Sequence, residues 1–324
     1  MTTKLAEGVD FIRSASKNIN RYQGLMIWVI VALLFLLARL IAPSFLNPIH
    51  ILNVIRQASG LGIVTIGQTI VLFTGGLDLS NGAVITLVNV IAATILNGKN
   101  DLLLPVILIC ILIGLAVGLI NGLLITKLKI PPLIETLGMF GILKGIAYVY
   151  TRGAPKGDIP TSLEFVGSGH IGPIPTQVFF WVFFTIIAMI VMNKTPFGRL
   201  IYSVGGNQKA ARLSGVHVDR VVISAYIISS CLAAFAGLIL AGYIGTGSLT
   251  LGEGYNLNSL AAAVVGGTAF TGGTGTIIGS AGGAMFLAII ISLLRFLGLP
   301  YSTQLMVQGV ILAVAIFAQT RAQE

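Results

Sequence analysis

Charge is what this chain has least of. Asp, Glu, Lys and Arg together make up 9% of its 324 residues, against about 25% in an average soluble protein. The mean hydropathy is +0.98. That excludes a soluble globule and places the chain in the membrane class. Cysteine is almost absent. Cys110 and Cys231 each lie inside an apolar run with no partner at ligand spacing, so they read as small buried hydrophobes rather than a disulfide framework or metal site. The three histidines, His50, His170 and His217, fall in three separate connections. No H-E-x-x-H motif or Cys/His cluster exists to hold a metal, and no G-x-S-x-G turn exists to present a nucleophile. His217 and Asp219 share a loop and read as a solvated pair. No G-x-x-x-x-G-K-[ST] loop occurs, which excludes ATP hydrolysis by that route. The sequence GGTGTIIG at 272–279 has the wrong spacing for a dinucleotide fingerprint, and no parallel-sheet pattern surrounds it. No A-x-A cleavage site follows the first apolar run, so that run reads as an uncleaved first span.

What the chain has in their place is hydrocarbon and glycine. Hydrophobic residues make up 56%, and there are 40 glycines, which membrane helices tolerate and use to approach one another closely. A helix crosses the ~30 Å hydrocarbon core in about 20 residues. Runs long enough for that occur at 26–43, 51–73, 102–125, 131–150, 176–193, 221–245 and 303–319. Shorter or interrupted runs occur at 83–97, 259–270 and 277–296. The expected fold is an all-α polytopic membrane protein of about ten transmembrane helices, some short or broken. The repeats Gly114/Gly118/Gly122, Gly141/Gly145 and Gly279/Gly283 are expected to form close-packing faces between helices.

The net charge of +9 fits a positive-inside bias spread over cytoplasmic loops better than a nucleic-acid surface. The head carries Lys4, Arg13, Lys17 and Arg21, and crossing once per run brings Lys127 and Lys129, then 194–220, then Arg321 to the same side as the head. Both termini are therefore expected in the cytoplasm. The 98–101 link, the 151–175 loop and the 246–258 segment are expected outside, the 151–175 loop as a docking rim. The domain reading is a cytoplasmic segment 1–25, one transmembrane permease domain 26–319 and a cytoplasmic tail 320–324.

Segment 194–220 carries the largest net positive charge of any connection, with Lys194, Arg199, Lys209, Arg212 and Arg220 against Asp219 alone. It is expected to fold as a short helix along the cytoplasmic membrane face, where a soluble partner can grip it. That points to a pore subunit driven by another protein.

Two breaks inside the apolar pattern carry the transport argument. The run 83–97 gives roughly 22 Å of helix, too short to span alone. Before it stands FTGGLDLSNG, with Asp78, Ser80 and Asn81 among the glycines. Irregular backbone at membrane depth survives only when buried in protein or lining a wet cavity, and an ionisable residue there is a functional candidate. The second break, GEGYNLNSLAAAVVGGTAFTGGTGTIIGS, places Tyr255, Asn256 and Asn258 before two short apolar pieces. Asn and Tyr offer directed donors and acceptors suited to a neutral polyhydroxylated solute. Glu135 is a further pathway candidate. It lies nine residues before Lys144, so the two point to different faces of one helix. The Gly-Gly breaks in the two halves hint at the inverted repeats that transporters use.

The motifs TGGLDLSNG at 74–82, ETLGMFGILKG at 135–145, TPFGRLIYSVGGNQKAARLSGV at 195–216 and AAAVVGGTAFTGGTGTIIGS at 261–280 resemble one family. It is the membrane permease of bacterial ATP-binding-cassette importers for ribose, galactose and xylose, and the resemblance covers about 45–317. In that family the third motif resembles the coupling helix that docks into the cassette ATPase. The resemblance implies that Gly206, Asn207, Ala210, Ala211, Arg212 and Gly215 carry the contact, with Arg199 on the same basic segment. It implies a permease in the bacterial inner membrane, paired with a second copy or a related permease and served by a periplasmic or tethered binding protein. This chain would bind no cofactor itself, ATP and Mg being used by the partner ATPase. The family's acidic Glu-Leu-Asp before the Ala run is Asn256, Leu257 and Asn258 here. The alternative reading is a secondary transporter or channel for a small polar solute, which needs intramembrane ionisable relays that this sequence offers sparsely. A membrane enzyme would need a catalytic constellation, and none is present.

Overall fold

The computed structural model describes residues 24–321. The basic residues expected to anchor the head, from Lys4 to Arg21, and the last three residues lie outside the described residues. Each expected apolar run becomes a helix except the end of 259–270, where the helix stops at Val265. Among the described residues, eight helices are long and apolar enough to cross a bilayer: α1 (Gly24–Ile41), α2 (Pro48–Phe73), α4 (Leu103–Lys127), α5 (Pro132–Thr151), α7 (Thr176–Lys194), α10 (Val218–Ile244), α12 (Ile277–Phe296) and α13 (Tyr301–Arg321). Of the three runs expected to be short or interrupted, 277–296 instead forms the full-length α12, and two shorter helices, α3 (Asn81–Leu96) and α11 (Tyr255–Val265), occupy the other two. A short α6 (Thr161–Ser168) and a two-stranded antiparallel hairpin, β1 (His170–Ile171) with β2 (Ile174–Pro175), fill the connection before α7. Helices α8 (Pro196–Gly206) and α9 (Gln208–Leu213) form the basic segment.

The helix starts follow local chemistry. Pro48 opens α2 behind Asn47, whose side chain accepts from Ile49 N. Pro196 opens α8 behind Thr195, and Thr276 caps α12 by accepting from Gly279 N. Proline suits a first helical turn, whose N–H groups lack intrahelical partners, and Asn or Thr caps satisfy one of those donors.

The centre of the protein is α10 packed on α4, α2 and α3, with α12 against α2 and α11. Glycine permits the α4–α10 approach. A methyl group on Gly118 would sit 2.5 Å from Ile227 Cα, and one on Gly122 2.7 Å from Ile223 Cα. At the other end of the fold, Gly279 and Gly283 lie against the backbone of Gly266 and Ala262. The expectation for Gly141 and Gly145 does not hold among the described residues. Nothing approaches their Cβ positions within 4 Å. The reason is the placement of α5 at the periphery, where it buries the Glu135, Thr136, Met139, Leu143 and Ala147 face and turns its glycines outward.

Segment 246–254 connects α10 to α11. It runs alongside α3: Asn89 Nδ2 donates to Thr246 O at 3.1 Å, Asn89 Oδ1 accepts from Ser248 N at 2.6 Å, and Thr86 Oγ1 accepts from Gly252 N at 3.2 Å. A strand-like segment can lie beside α3 because α3 supplies polar side chains that satisfy its backbone. As a result α11 begins at Tyr255, next to the start of α3, and ends at Gly266.

Candidate functional site

The first break is a buried polar knot. Gly75 takes a left-handed turn at φ +78°, and the chain then passes Leu77, whose carbonyl accepts from Tyr226 Oη at 3.0 Å. Asp78 is fully buried. Its Oδ1 accepts from Ser80 N at 3.0 Å and from Ser80 Oγ at 2.6 Å, and its Oδ2 accepts from Ser229 Oγ at 2.9 Å. Asn81 Nδ2 donates to Gln68 Oε1 at 3.1 Å and to Asp78 O at 3.2 Å, while Ser229 Oγ reaches Asn81 Oδ1 at 3.3 Å. The Asn121 amide on α4 lies 3.0 Å from Ser80 Oγ. Ser229 sits about three turns into α10, roughly 16 Å from its start at 1.5 Å per residue, so the knot lies deep in the helical bundle. The polar side chains of the break, Asp78, Ser80 and Asn81, are all satisfied by protein, as backbone at membrane depth requires.

Sequence reasoning singled out Asp78, Ser80 and Asn81 but missed Gln68, Asn121 and Ser229, which complete the knot. Each is a neutral polar residue inside an otherwise apolar run, and that is the signal that could have found them. Glu135, in the first turn of α5, is 6% exposed, and its Oε2 has no partner among the described residues. Lys144, on the same helix, turns away from it. Lys144 Nζ donates to Leu249 O at 2.9 Å and pairs with Glu253 Oε1 at 3.2 Å, tying α5 to the segment that leads into α11.

The second group of pathway candidates stands apart from the first in exposure. Tyr255, Asn256 and Asn258 are half-buried on the first turn of α11. Asn258 Oδ1 is buried without a partner among the described residues. The two breaks nevertheless adjoin: a methyl on Gly82 would lie 2.5 Å from Gly252 O and 3.6 Å from Asn256 N. The fold thus brings α3 and α11 together at their starts. Asp78, Ser80 and Asn81 are sealed inside, and the α11 side chains are left partly open.

The basic segment touches both breaks through backbone. Glycine is required where the end of α8 meets them. A methyl on Gly205 would collide with Phe73 O and sit 2.5 Å from Gly273 N. One on Gly272 would lie 2.8 Å from Gly75 N, and one on Gly273 2.9 Å from Gly206 Cα. Gly273 N donates to Phe73 O at 3.0 Å, Gln208 Nε2 reaches Thr74 O at 3.4 Å, and Tyr202 Oη donates to Gly275 O at 3.2 Å. Burial holds the Tyr202 phenol above its ordinary pKa, so it stays a donor.

Asn207 separates α8 from α9 in an extended conformation and caps α9 by accepting from Ala210 N at 3.0 Å. Arg199, Gly206, Asn207, Ala210, Arg212 and Gly215 are exposed, while Ala211 is buried against the protein. Asp219 binds Arg212 at 2.9 Å and Lys127 at 2.8 Å. Arg199 and Lys209 have no carboxylate partner among the described residues. Leu213, beside Arg212, is 90% exposed.

A groove of about 380 Å³ between α2, α4, α7 and α10, lined by Ile66, Phe184, Ile227, Cys231 and other apolar side chains, contains none of these residues and offers hydrocarbon alone. No group of three or more His, Cys, Asp or Glu among the described residues is arranged to hold a metal.

The sequence profile of a family described as branched-chain amino acid transport system, permease component, matches residues 50–316. The chain is 39% identical over 302 residues to the ribose import permease protein RbsC of Bacillus subtilis (strain 168), covering 93% of this chain and 92% of that protein. It is 32% identical over 300 residues to RbsC of Escherichia coli (strain K12), covering 91% and 93%. It is 34% identical over 308 residues to the galactose/methyl galactoside import permease protein MglC of Escherichia coli (strain K12), covering 89% and 92%. No solved structure matches the chain.

Proposed function

The chain belongs to the permease-component family of branched-chain amino acid transport systems, and within that family we propose that it is the permease of an ATP-driven importer for a monosaccharide or related polyhydroxylated solute. The near full-length identity to ribose and galactose/methyl galactoside import permeases carries the choice of sugar over amino acid. The neutral Tyr255, Asn256 and Asn258 agree with it, because they offer hydrogen bonds without a charge to pair with an amino acid's own charges. The chain works in a bacterial inner membrane, as one of two permeases around the pathway. A binding protein delivers solute from outside, and two cassette ATPases bind ATP and Mg and grip α8–α9 from inside.

The mechanism follows from the contact of α8 with both breaks. When the ATPases close, they displace α9 and the end of α8. Gly205 and Gly206 then push on Phe73–Gly75 and Gly272–Gly273 together, because no side chains intervene to absorb the motion. Packed interfaces transmit such shifts as discrete rearrangements. The starts of α3 and α11 move with the breaks, and Asn256 and Asn258 change their access to solute. Exposed Arg199, Lys209 and Arg212 meet acidic groups on the ATPase, and Leu213 fills an apolar pocket there, a pairing of charged rim and apolar anchor common to protein interfaces. Radiolabelled ribose and galactose uptake by cells expressing the permease with its ATPase and binding protein tests the reading. Uptake of leucine in their place would overturn the solute class.

A further inference from the structure

Asp78 and Glu135 are joined by a chain of two side chains, Ser80 and Asn121, and that chain cannot be completed without one extra proton. In one orientation of the Asn121 amide, Nδ2 donates to Ser80 Oγ at 3.0 Å and Ser80 Oγ donates to Asp78 Oδ1 at 2.6 Å. The Asn121 oxygen then faces Val117 O and Glu135 Oε1, each at 3.2 Å. Three acceptors meet there, and the contact becomes a bond when Glu135 carries a proton. With the amide turned over, Nδ2 donates to Val117 O and to Glu135 Oε1 at the same distances, and its oxygen accepts from Ser80 Oγ. Ser80 has a single hydroxyl proton, now committed to Asn121. The 2.6 Å contact between Ser80 Oγ and Asp78 Oδ1 then needs a proton from Asp78.

One proton completes either arrangement, and a second is not required. We propose that Asp78 and Glu135 form a one-proton site bridged by Ser80 and Asn121, with a net charge of −1 and with the Asn121 amide orientation reporting which carboxyl holds the proton.

Among the described residues, none that bonds to this site is a cation that could replace that proton. Glu135 is nine-tenths buried with Oε2 unpartnered among the described residues. The neighbouring elements present Gln68 from α2, Asn81 from α3, and Ser229 and the Tyr226 hydroxyl from α10, all neutral. The lysines on α5 and α4 are engaged elsewhere, Lys144 with Glu253 and Lys127 with Asp219. Two buried carboxylates without a cation resist being ionised together, and sharing one proton is how like-charged carboxyl pairs resolve that conflict. The site links the broken helix, through Ser80, to the first turn of α5. The position of the proton thus sets which of the two elements Asn121 holds by its N–H groups.

Infrared spectroscopy of the full-length permease in lipid nanodiscs at neutral pH reads the site directly, through the carbonyl stretch of protonated carboxyl groups. The wild type should show one such group. Glu135→Gln should show none, because the substituted amide supplies the donor that Asn121 needs and leaves Asp78 ionised with its three donors. A wild-type spectrum with no protonated carboxyl, or with two, overturns the proposal, and it does so even if the variant fails to fold. A protonated carboxyl that persists in a folded Glu135→Gln protein also overturns it, since Asp78 would then hold a proton of its own.

Discussion

Replacing Gly205 by Ala places a methyl group where α8, the first break and the second break meet, and its consequences can be worked from the contacts. The new Cβ collides with Phe73 O and stands 2.5 Å from Gly273 N, so the end of α8 must move away. That movement parts Gly273 N from Phe73 O, now bonded at 3.0 Å. A buried donor left without its acceptor costs about 1–3 kcal/mol, and overpacking a tight contact costs about 1–3 kcal/mol more. The α4–α10 approach through Gly118 and Gly122 does not include this contact, so Gly205→Ala should still insert and fold, with a stability lower by roughly 2–6 kcal/mol. Its ATP-driven uptake should fall steeply, because the displaced contact is the one that carries ATPase motion to the breaks. Gly206→Ala is the control. Nothing lies within 4 Å of its Cβ, and Ala is favoured over Gly in a helix by roughly 0.5–1 kcal/mol. Its unfolding midpoint should match or exceed the wild type, so any loss of uptake there reports the ATPase contact alone. SDS-titrated unfolding and uptake, measured on both variants, separate the two effects. A Gly205→Ala protein with wild-type stability and wild-type uptake refutes the argument.

Three further outcomes are expected. Asp78→Asn keeps an acceptor for Ser80 N and should assemble with a loss of about 1 kcal/mol, whereas Asp78→Leu strips the acceptor from Ser80 N, Ser80 Oγ and Ser229 Oγ and should cost several times that; yield and unfolding midpoint check the order, and normal uptake by the Leu variant would contradict it. Arg212→Glu breaks an exposed pair with Asp219 worth about 0–1 kcal/mol, so the permease should remain folded while its ATPase pull-down and uptake fail; an unchanged pull-down would remove Arg212 from the interface. Cysteines placed at Lys129 and Lys209, with Cys110 and Cys231 removed, should be labelled only after the membrane is opened, and one placed at Asp158 should be labelled in sealed cells; labelling of position 209 from outside would invert the topology.

Much of the fold was legible because a bilayer imposes a coarse rule. Twenty apolar residues per crossing located seven of the eight spanning-length helices, the eighth being 277–296, which its glycines made look interrupted, and glycine with polar residues located both breaks. The basic segment stood out because charge is otherwise scarce. Less legible was what neutral polar residues do inside apolar runs. Gln68, Asn121 and Ser229 raise no hydropathy alarm, yet they complete the knot around Asp78, and Asn89 and Thr86 guide 246–254 along α3. A pattern of small residues also says that a close approach is possible without saying to what. Gly118 meets α10, whereas Gly141 and Gly145 meet nothing among the described residues. The split of 194–220 into α8 and α9 turns on Asn207, which reads in sequence as one more polar residue and acts in the structure as a cap.

An importer permease driven through α8–α9 by a separate ATPase moves solute only with that partner present. Solute accumulation in proteoliposomes holding the permease, its cassette ATPases and the loaded binding protein tests this directly. Accumulation should require ATP on the ATPase side and should be abolished when the ATPases are left out. Accumulation by the permease alone, driven by a proton or sodium gradient, would contradict it.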